Sequence, residues 1–414
     1  MKRAAFLAVL VGLLPQSALA QQEIVLDRYM SPAAGTGDLL TIQRGLATVE
    51  DRVLPLKLGD ERGRLSLLAG IFYRTGKFVG LDVPQDHMLL VVGHEVFGHG
   101  ARLRELGVGR IAYSFDGPLP YGGGGAMTSF SGDFPDTPLA SLAVEMAGIE
   151  AQNAMADSIA AAALARGRMH YREAWLYFES RYLGMTYMLD ATADSEEGHD
   201  VADFVRTFEK ACTRPDCHPI TLRDLHRGAR LTLADPLLYF SLYGFASSYL
   251  AEGNATSPIP MIPIGRGVGY LPSVGFQMTP FGTERLLRSA FVSGLRAKGE
   301  GQRLTTVTLR IGTTGASRPW AVDVRATDMR LFRRFHVRAA ADFWRQPSPL
   351  ANQASSPLKI GASAVATIVL PLRTLLHRDW LRAVMTGGYK SEGFVPGEQL
   401  GGGIVWRIGM AIGR

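Results

Sequence analysis

The stretch His94-Glu95-Val96-Phe97-Gly98-His99, preceded by the apolar run Met88-Leu89-Leu90-Val91-Val92-Gly93, decides how this chain is interpreted. Two imidazoles on either side of a carboxylate, in an apolar segment typical of a helix, are the side chains that a catalytic zinc site needs. Imidazoles bind the metal through neutral nitrogens, and the Glu95 carboxylate lies within one turn, where it can take a proton from metal-bound water.

The spacing of the two histidines sets a condition on the helix. In the common H-E-x-x-H motif the histidines are four residues apart, about 40° around a helix, so both rings face one ion. His94 and His99 are five residues apart, which at 3.6 residues per turn separates them by about 140°. One extra residue absorbed as a π-bulge would realign the rings, and Gly98 has no side chain to oppose it. The zinc hypothesis therefore requires a π-bulge near Gly98.

The third ligand is expected on a later, Ala-rich helix, because a catalytic zinc takes three protein ligands and keeps one position open. Glu145 and Glu150 lie there in an otherwise apolar turn, and Ala147 and Gly148 would let another helix approach closely. Burying a carboxylate is costly unless it binds a metal or pairs with a cation. Both acids are therefore candidate ligands, with Glu145 preferred and Glu150 placed behind it.

The stretch His94-Glu95-Val96-Phe97-Gly98-His99 resembles H-E-x-x-G-H, the variant zinc motif of the dipeptidyl peptidase III family. The resemblance implies the two histidines as zinc ligands, the intervening Glu as base, and a Glu on a later helix as third ligand. Glu145 and Glu150 agree in spacing with the outer acids of that family's second motif, whose ligand Glu is replaced here by Met146. The resemblance covers these two helices, so it carries over the site and not the substrate.

The N-terminus and the cysteines predict export. Met1-Lys2-Arg3, the apolar stretch Ala4 to Leu14 and Ala18-Leu19-Ala20 form the charged, apolar and cleavage-site parts of a secretory signal, residues 1–20. Cys212 and Cys217 are the only cysteines, and their spacing predicts a small disulfide loop in an oxidising compartment. We expect the protein in the outer membrane or periplasm of a Gram-negative-type bacterium.

The net charge of +6 is divided unevenly along the 414 residues. Residues 21–268 carry 22 basic and 30 acidic side chains, a net charge of −8, whereas residues 269–414 carry 20 and 8, a net charge of +12. This asymmetry predicts two domains with different roles. Nucleic acid is an unsuitable partner for an exported protein, and an anionic lipid surface fits the basic region better.

The first domain, residues 21–268, is predicted to be mainly helical. Apolar periodicity with capping and stop signals predicts helices over Gln85–Leu106, Pro138–Arg166, Tyr171–Leu189, Val201–Ala211 and Pro236–Ala251. The acidic cluster Asp194–Asp200 is interpreted as a solvated loop that caps the following helix, with a calcium or supporting metal role as the weaker alternative.

The second domain, residues 269–414, alternates with period two. Ile404, Trp406, Ile408 and Met410, for example, alternate with small or polar residues. About eight such segments have roughly the 9–11 residues that a membrane strand needs, and the pattern resembles a small eight-stranded outer-membrane β-barrel. The resemblance implies outer-membrane lipid as a partner; a soluble β-sandwich is the alternative.

The sequence therefore predicts an α+β protein, a helical metallopeptidase-like domain followed by an antiparallel, about eight-stranded C-terminal β-barrel. The favoured function is that of an exported, outer-membrane-associated zinc hydrolase acting on a peptide or protein substrate, with Glu95 as base. The alternative is a non-enzymatic outer-membrane protein whose helical domain serves structure, adhesion or lipid contact.

Overall fold

A computed structural model describes most of the chain from Gln22 onwards. The described ranges are 22–58, 63–122, 125–135, 137–212, 217–265, 267–294, 302–314, 318–331, 335–350, 357–372 and 381–412. The predicted signal peptide, residues 1–20, lies outside the described residues.

Ten α-helices are assigned in these ranges. They are α1 Pro32–Val53, α2 Arg64–Lys77, α3 Val83–Val92, α4 Gly100–Glu105, α5 Pro138–Glu145, α6 Ala147–Arg166, α7 Tyr171–Asp190, α8 Asp200–Ala211, α9 Leu222–Ala229 and α10 Pro236–Gly244. Three π-helical turns, Phe78–Asp82, Gly93–His99 and Phe245–Ala251, and a 3₁₀ turn, Arg230–Ala234, continue them. The predicted helices are confirmed, although the one over 138–166 divides at Met146.

Local signals explain where these helices begin and end. Ser31 accepts a hydrogen bond from the backbone of Ala34 at the start of α1. Thr137 accepts one from the backbone of Ala140 at the start of α5, whose first residue is Pro138. The helical segment that carries His94 and His99 stops at Gly107, whose φ of +81° is a left-handed conformation suited to glycine.

Helices α6 and α7 run through the centre of the helical part. Met155 and Ile159 of α6 and Tyr177 of α7 are buried in one apolar cluster with Leu90, which precedes the metal motif, and Phe97, which lies within it. A second cluster joins α5 to α8 and to the sheet, with Leu139, Phe204, Phe208, Phe276 and Phe394 among its members. The motif helix is therefore fixed against the core rather than exposed at the surface.

A ten-stranded antiparallel sheet forms the other part of the molecule. Its strands are β1 Gln22–Asp27, β6 Ile262–Gly265, β7 Val268–Thr279, β8 Gly282–Ser293, β9 Arg303–Gly312, β10 Trp320–Leu331, β11 Phe335–Gln346, β12 Lys359–Pro371, β13 Leu381–Lys390 and β14 Gly403–Ile412. Two-stranded sheets pair β2 Arg110–Phe115 with β3 Ala126–Ser131, and β4 Arg168–His170 with β5 Thr256–Pro258. The eight strands predicted after residue 268 are present as β7 to β14.

The predicted closure of these strands into a barrel is wrong. Within the described residues the strand order runs from β1 through β14 down to β6, so β1 and β6 are edges and the sheet is open. Helix α1 covers one edge: Thr41 Oγ1 donates to Glu23 O and accepts from Glu23 N, and Asp38 accepts from Val25 N at 2.7 Å. Side chains of a helix thus satisfy backbone groups that a neighbouring strand would otherwise pair.

The sheet also crosses the boundary predicted at residue 268, because β1 and β6 come from the first domain.

The predicted disulfide is confirmed, with an S–S distance of 2.04 Å between Cys212 and Cys217. None of the helices in the described part of the chain combines the length and the apolar character that a membrane crossing requires.

Candidate metal centre

The two histidines lie in a π-helical turn. Residues Gly93–His99 have π-helical backbone between α3 and α4, so the π-bulge required by the histidine spacing is confirmed. A π turn takes up one residue more than an α turn, which brings His94 and His99 onto the same face. Their ring centroids are 4.9 Å apart.

A single oxygen of Asp200 faces both rings. Asp200 Oδ2 lies 3.0 Å from His94 Nε2 and 3.2 Å from His99 Nε2. The three residues form a group whose possible ligand atoms all lie within 4.8 Å of one another. Asp200 is the first residue of α8, so this helix presents its N-terminal carboxylate to the motif helix.

The hydrogen bond made by His99 Nδ1 determines whether Nε2 carries a proton or a lone pair. Nδ1 lies 2.8 Å from the carbonyl oxygen of Val144, which can only accept, so Nδ1 carries the proton. A neutral His99 then presents a lone pair on Nε2 to a carboxylate oxygen that is also an acceptor. This contact is favourable only when a proton or a metal ion lies between the two atoms. Orientation of a ligand histidine by a backbone carbonyl is typical of metal sites.

The electrostatics of the group follow from burial and proximity. Burial opposes the charged imidazolium, but the Asp200 carboxylate outweighs it and raises the pKa of His99 to about 9. Burial likewise opposes the Asp200 carboxylate, yet His99 and His94 hold its pKa well below the usual range for aspartate. These two pKa shifts therefore favour an ionised Asp200 carboxylate next to a cation.

The donor set fits a divalent transition metal. Two imidazoles and one carboxylate are a common ligand set for catalytic zinc and also for non-haem Fe(II). Ligand bonds of about 2.0–2.1 Å in a tetrahedral site separate neighbouring ligand atoms by roughly 3.3 Å. The contacts of Asp200 with the two rings are close to this value. The side chains of His94 and Asp200 are 13% and 19% exposed, which leaves the site accessible.

Glu95 is buried in the same π turn. Its carboxylate accepts a hydrogen bond from Thr128 Oγ1 of strand β3. Tyr113, which lies opposite Thr128 on β2, is hydrogen-bonded through its hydroxyl to Arg104. The β2–β3 hairpin therefore lies against the motif helix and orients the predicted base.

The structure places Glu145 and Glu150, the acids predicted as third ligand, outside the group formed by His94, His99 and Asp200. Glu150 is buried because it pairs with Arg102, at 2.7 Å from Nη2 to Oε2, and also accepts from the backbone of Gly397. Glu145 accepts from Thr207 at 2.7 Å, and burial raises its pKa to about 7. The expectation that a buried acid pairs with a cation or binds a metal holds at Glu150, where the partner is Arg102.

The motif helix and α6 approach too closely for side chains at two glycines. A Cβ built on Gly98 would lie 2.6 Å from the carbonyl oxygen of Ala147. A Cβ built on Gly148 would lie 2.2 Å from His94 Nε2, the atom that faces Asp200. The predicted close approach at Ala147 and Gly148 thus exists, and it positions a histidine rather than a glutamate.

Replacing Gly148 with alanine is expected to lower zinc affinity about tenfold or more, because the methyl group would displace the His94 ring from the metal group. Zinc affinity is measured by competition with a chromophoric chelator, and helical content by circular dichroism. Gly45→Ala is the matched control, since no atom lies within 4 Å of a Cβ there. Equal zinc affinity in Gly148→Ala and wild type would show that His94 does not bind in the observed position.

Tyr187 lies beside the metal group, whereas Tyr121 and Tyr182 have partners elsewhere. Its hydroxyl lies 3.4 Å from Asp200 Oδ2, and its ring is stacked on His199. Burial, followed by the charge of Asp200, raises its pKa above the ordinary value. Tyr121 instead bonds the carbonyl of Gly80, and Tyr182 stacks on Phe178.

Sequence reasoning missed Asp200 as a ligand candidate. It identified the acidic cluster 194–200 and the helix that follows, but interpreted the cluster as a solvated cap. The available signal was an aspartate at the first position of a strongly amphipathic helix, directly after His199. That signal does not reveal that the helix end docks against the motif.

No known protein family matches the chain, and neither a curated protein nor a solved structure is significantly similar to it.

Proposed function

We propose that this protein is an exported metal-dependent hydrolase in which His94, His99 and Asp200 bind a divalent ion, zinc in the first instance. The observation that carries the proposal is the π turn, which directs both imidazoles at one carboxylate oxygen and buries Glu95 in the same turn. Non-haem Fe(II) shares this ligand set, but an adjacent carboxylate suited to act as base favours hydrolysis.

The chemistry expected of these residues is general-base hydrolysis. When bound, the metal would lower the pKa of a water molecule and polarise the substrate carbonyl. Glu95 would accept the proton of the attacking water and return it to the leaving group. Thr128 would hold the carboxylate in place through its hydrogen bond. The hydroxyl of Tyr187 would orient Asp200.

The strand next to Glu95 supports a peptide as substrate. Strand β3 pairs only with β2 in the described part of the chain, and most of its residues, including Met127 and Phe130, are exposed. An extended peptide can add to such an edge through backbone hydrogen bonds. Thr128 on this strand contacts Glu95, so the added peptide would run beside the base. We therefore propose peptidase activity.

Replacing Glu95 with glutamine is expected to lower turnover by about 10²–10⁴-fold while zinc remains bound, because the amide cannot accept the proton of water. The assay uses the exported chain loaded with zinc and reduced, unfolded casein as the probe, with metal content measured on the same samples. Glu252→Gln is the control, since this side chain is exposed and accepts a hydrogen bond from the nearby Asn254.

Zinc-loaded wild type that leaves casein intact would overturn the peptidase proposal while leaving the metal site standing. Equal activity in wild type and Glu95→Gln would overturn the role of Glu95. Wild-type protein that takes up iron in preference to zinc would overturn the assignment of the metal.

A further inference from the structure

We propose that the outer face of the ten-stranded sheet lies in the hydrocarbon of a lipid bilayer. This inference concerns a surface separate from the metal centre and does not depend on the hydrolase proposal. Strand β14 shows the pattern: Ile404 and Met410 are 73% and 60% exposed, with Trp406 and Ile408 also exposed between them. The residues that alternate with these four are buried or half-buried.

The apolar face continues across the sheet in register. Met385 of β13 pairs with Ile408 of β14 and with Ile368 of β12, and Ile24 of β1 pairs with Met410. The exposed large apolar side chains of β1 and β7 to β14 are Ile24, Leu26, Leu287, Leu309, Ile311, Val324, Phe343, Ile360, Ile368, Met385, Tyr389, Ile404, Trp406, Ile408 and Met410. Isolated exposed apolar residues are ordinary, but a continuous face over eight strands is not.

The inner face of the sheet holds buried ion pairs. Arg310 contacts Glu284 at 3.1 Å and Asp323 at 3.0 Å, and all three side chains are buried. Arg325 pairs with Asp342 beside them.

Arg407 repeats the pattern on β14, where it contacts Asp27 and Glu398 between the exposed Trp406 and Ile408. A sheet in water places apolar residues inside and charges outside. Strand β14 has the opposite arrangement, which is that of strands facing lipid. The exposed arginines on the outer face, Arg285, Arg303 and Arg345, lie towards the ends of their strands.

The dimensions of the face fit a bilayer. Strands β7 to β14 have 10–13 residues, against the 9–11 residues that a tilted membrane strand needs. Strand register places four aromatic residues at one end of the face: Trp320, Phe343, Tyr389 and Trp406. Tyr270 and Phe291 stack at the opposite end, with ring centroids 5.2 Å apart. Aromatic side chains at both boundaries are typical of membrane strands.

Side chains of α1 satisfy part of the free edge of β1: Thr41 and Asp38 bond the amides of Glu23 and Val25 and the carbonyl of Glu23. Because an edge strand with unsatisfied backbone groups is excluded from hydrocarbon, the proposed lipid-facing area is limited to β1 and β7 to β14 and does not include the other edge strand, β6. A second copy of the chain would also cover an apolar face, but it does not account for aromatic side chains at both ends of the strands.

The test uses the exported chain reconstituted in phosphatidylcholine vesicles with brominated acyl chains, which quench tryptophan fluorescence on contact. In a variant that keeps only Trp406, quenching should exceed twofold relative to unbrominated vesicles. In a variant that keeps only Trp344, which is fully buried on the inner face, quenching should be negligible. Equal quenching in both variants would overturn the assignment of the faces.

Flotation keeps the inference testable if a tryptophan variant fails to fold. Wild type should float with the vesicles, and Ile408→Arg should do so at least tenfold less, because it places a charge on the outer face. A wild-type chain that stays in the aqueous fraction as a folded dimer would assign the face to a second copy and overturn the lipid proposal.

Discussion

Asp200→Asn is expected to bind zinc at least about a hundredfold more weakly than the wild type. Substitutions in the groups that merely support metal ligands typically cost 10–100-fold in affinity, and Asp200 is placed as a ligand itself. The asparagine keeps the size of the side chain but removes the negative charge that faces His94 and His99. The measurement is a zinc titration against a chromophoric chelator, with circular dichroism to verify the fold.

Asp190→Asn provides the matched control, because Asp190 is an exposed aspartate at the end of α7. The competing ligand assignments are tested by Glu145→Gln and Glu150→Gln in the same titration. We expect both to retain zinc affinity within a few-fold. A loss of zinc in Glu145→Gln together with normal binding in Asp200→Asn would restore the ligand predicted from the sequence and contradict the assignment of Asp200.

Arg102→Met is expected to destabilise the protein by about 3–5 kcal/mol, the usual consequence of removing one partner from a buried ion pair. Arg102 is 1% exposed and donates to Glu150, to Glu105 and to the carbonyl of Glu398. Methionine fills a similar volume but leaves the Glu150 carboxylate buried without its cation. Thermal unfolding in detergent micelles measures the change.

Arg206→Met is the control for this prediction, since Arg206 forms a partly exposed pair with Asp203 worth about 0–1 kcal/mol. Adding Glu150→Gln to Arg102→Met should recover part of the loss, because it removes the unpaired charge. An Arg102→Met protein as stable as the control would mean that Glu150 finds another partner or becomes neutral.

The local geometry of the His-Glu-x-x-Gly-His motif could be predicted from the sequence, and the acid that the structure places beside its two histidines could not. The spacing of His94 and His99 permits a shared face only if one residue is added to the turn, so the π turn follows from stereochemistry. The choice among Glu145, Glu150 and Asp200 depends on which helix ends meet the motif. Neither burial cost nor spacing contains that information, because Asp200 lies about a hundred residues beyond the motif.

The sheet shows the same division between local pattern and long-range pairing. Alternation predicted the strands from β7 to β14, because each strand repeats its own two-sided pattern. It did not predict that the short strand β1, at the other end of the chain, pairs with β14 and is then covered by α1. Whether a sheet closes depends on which of its edge strands pair with each other. The six residues of β1 contain too few apolar–polar alternations to predict its pairing partner.

The contact between Gly148 and His94 also defines how distant relatives of this protein could be recognised. Any chain that keeps the same metal group needs a residue without a side chain at that point of α6, however much the rest of the helix diverges. His-Glu-x-x-Gly-His, a later glycine on an Ala-rich helix and an aspartate opening a third helix together form a discontinuous sequence signature. Steric contact links Gly148 to His94, and polar contacts link Asp200 to both histidines, so the signature is more selective than the six-residue motif alone.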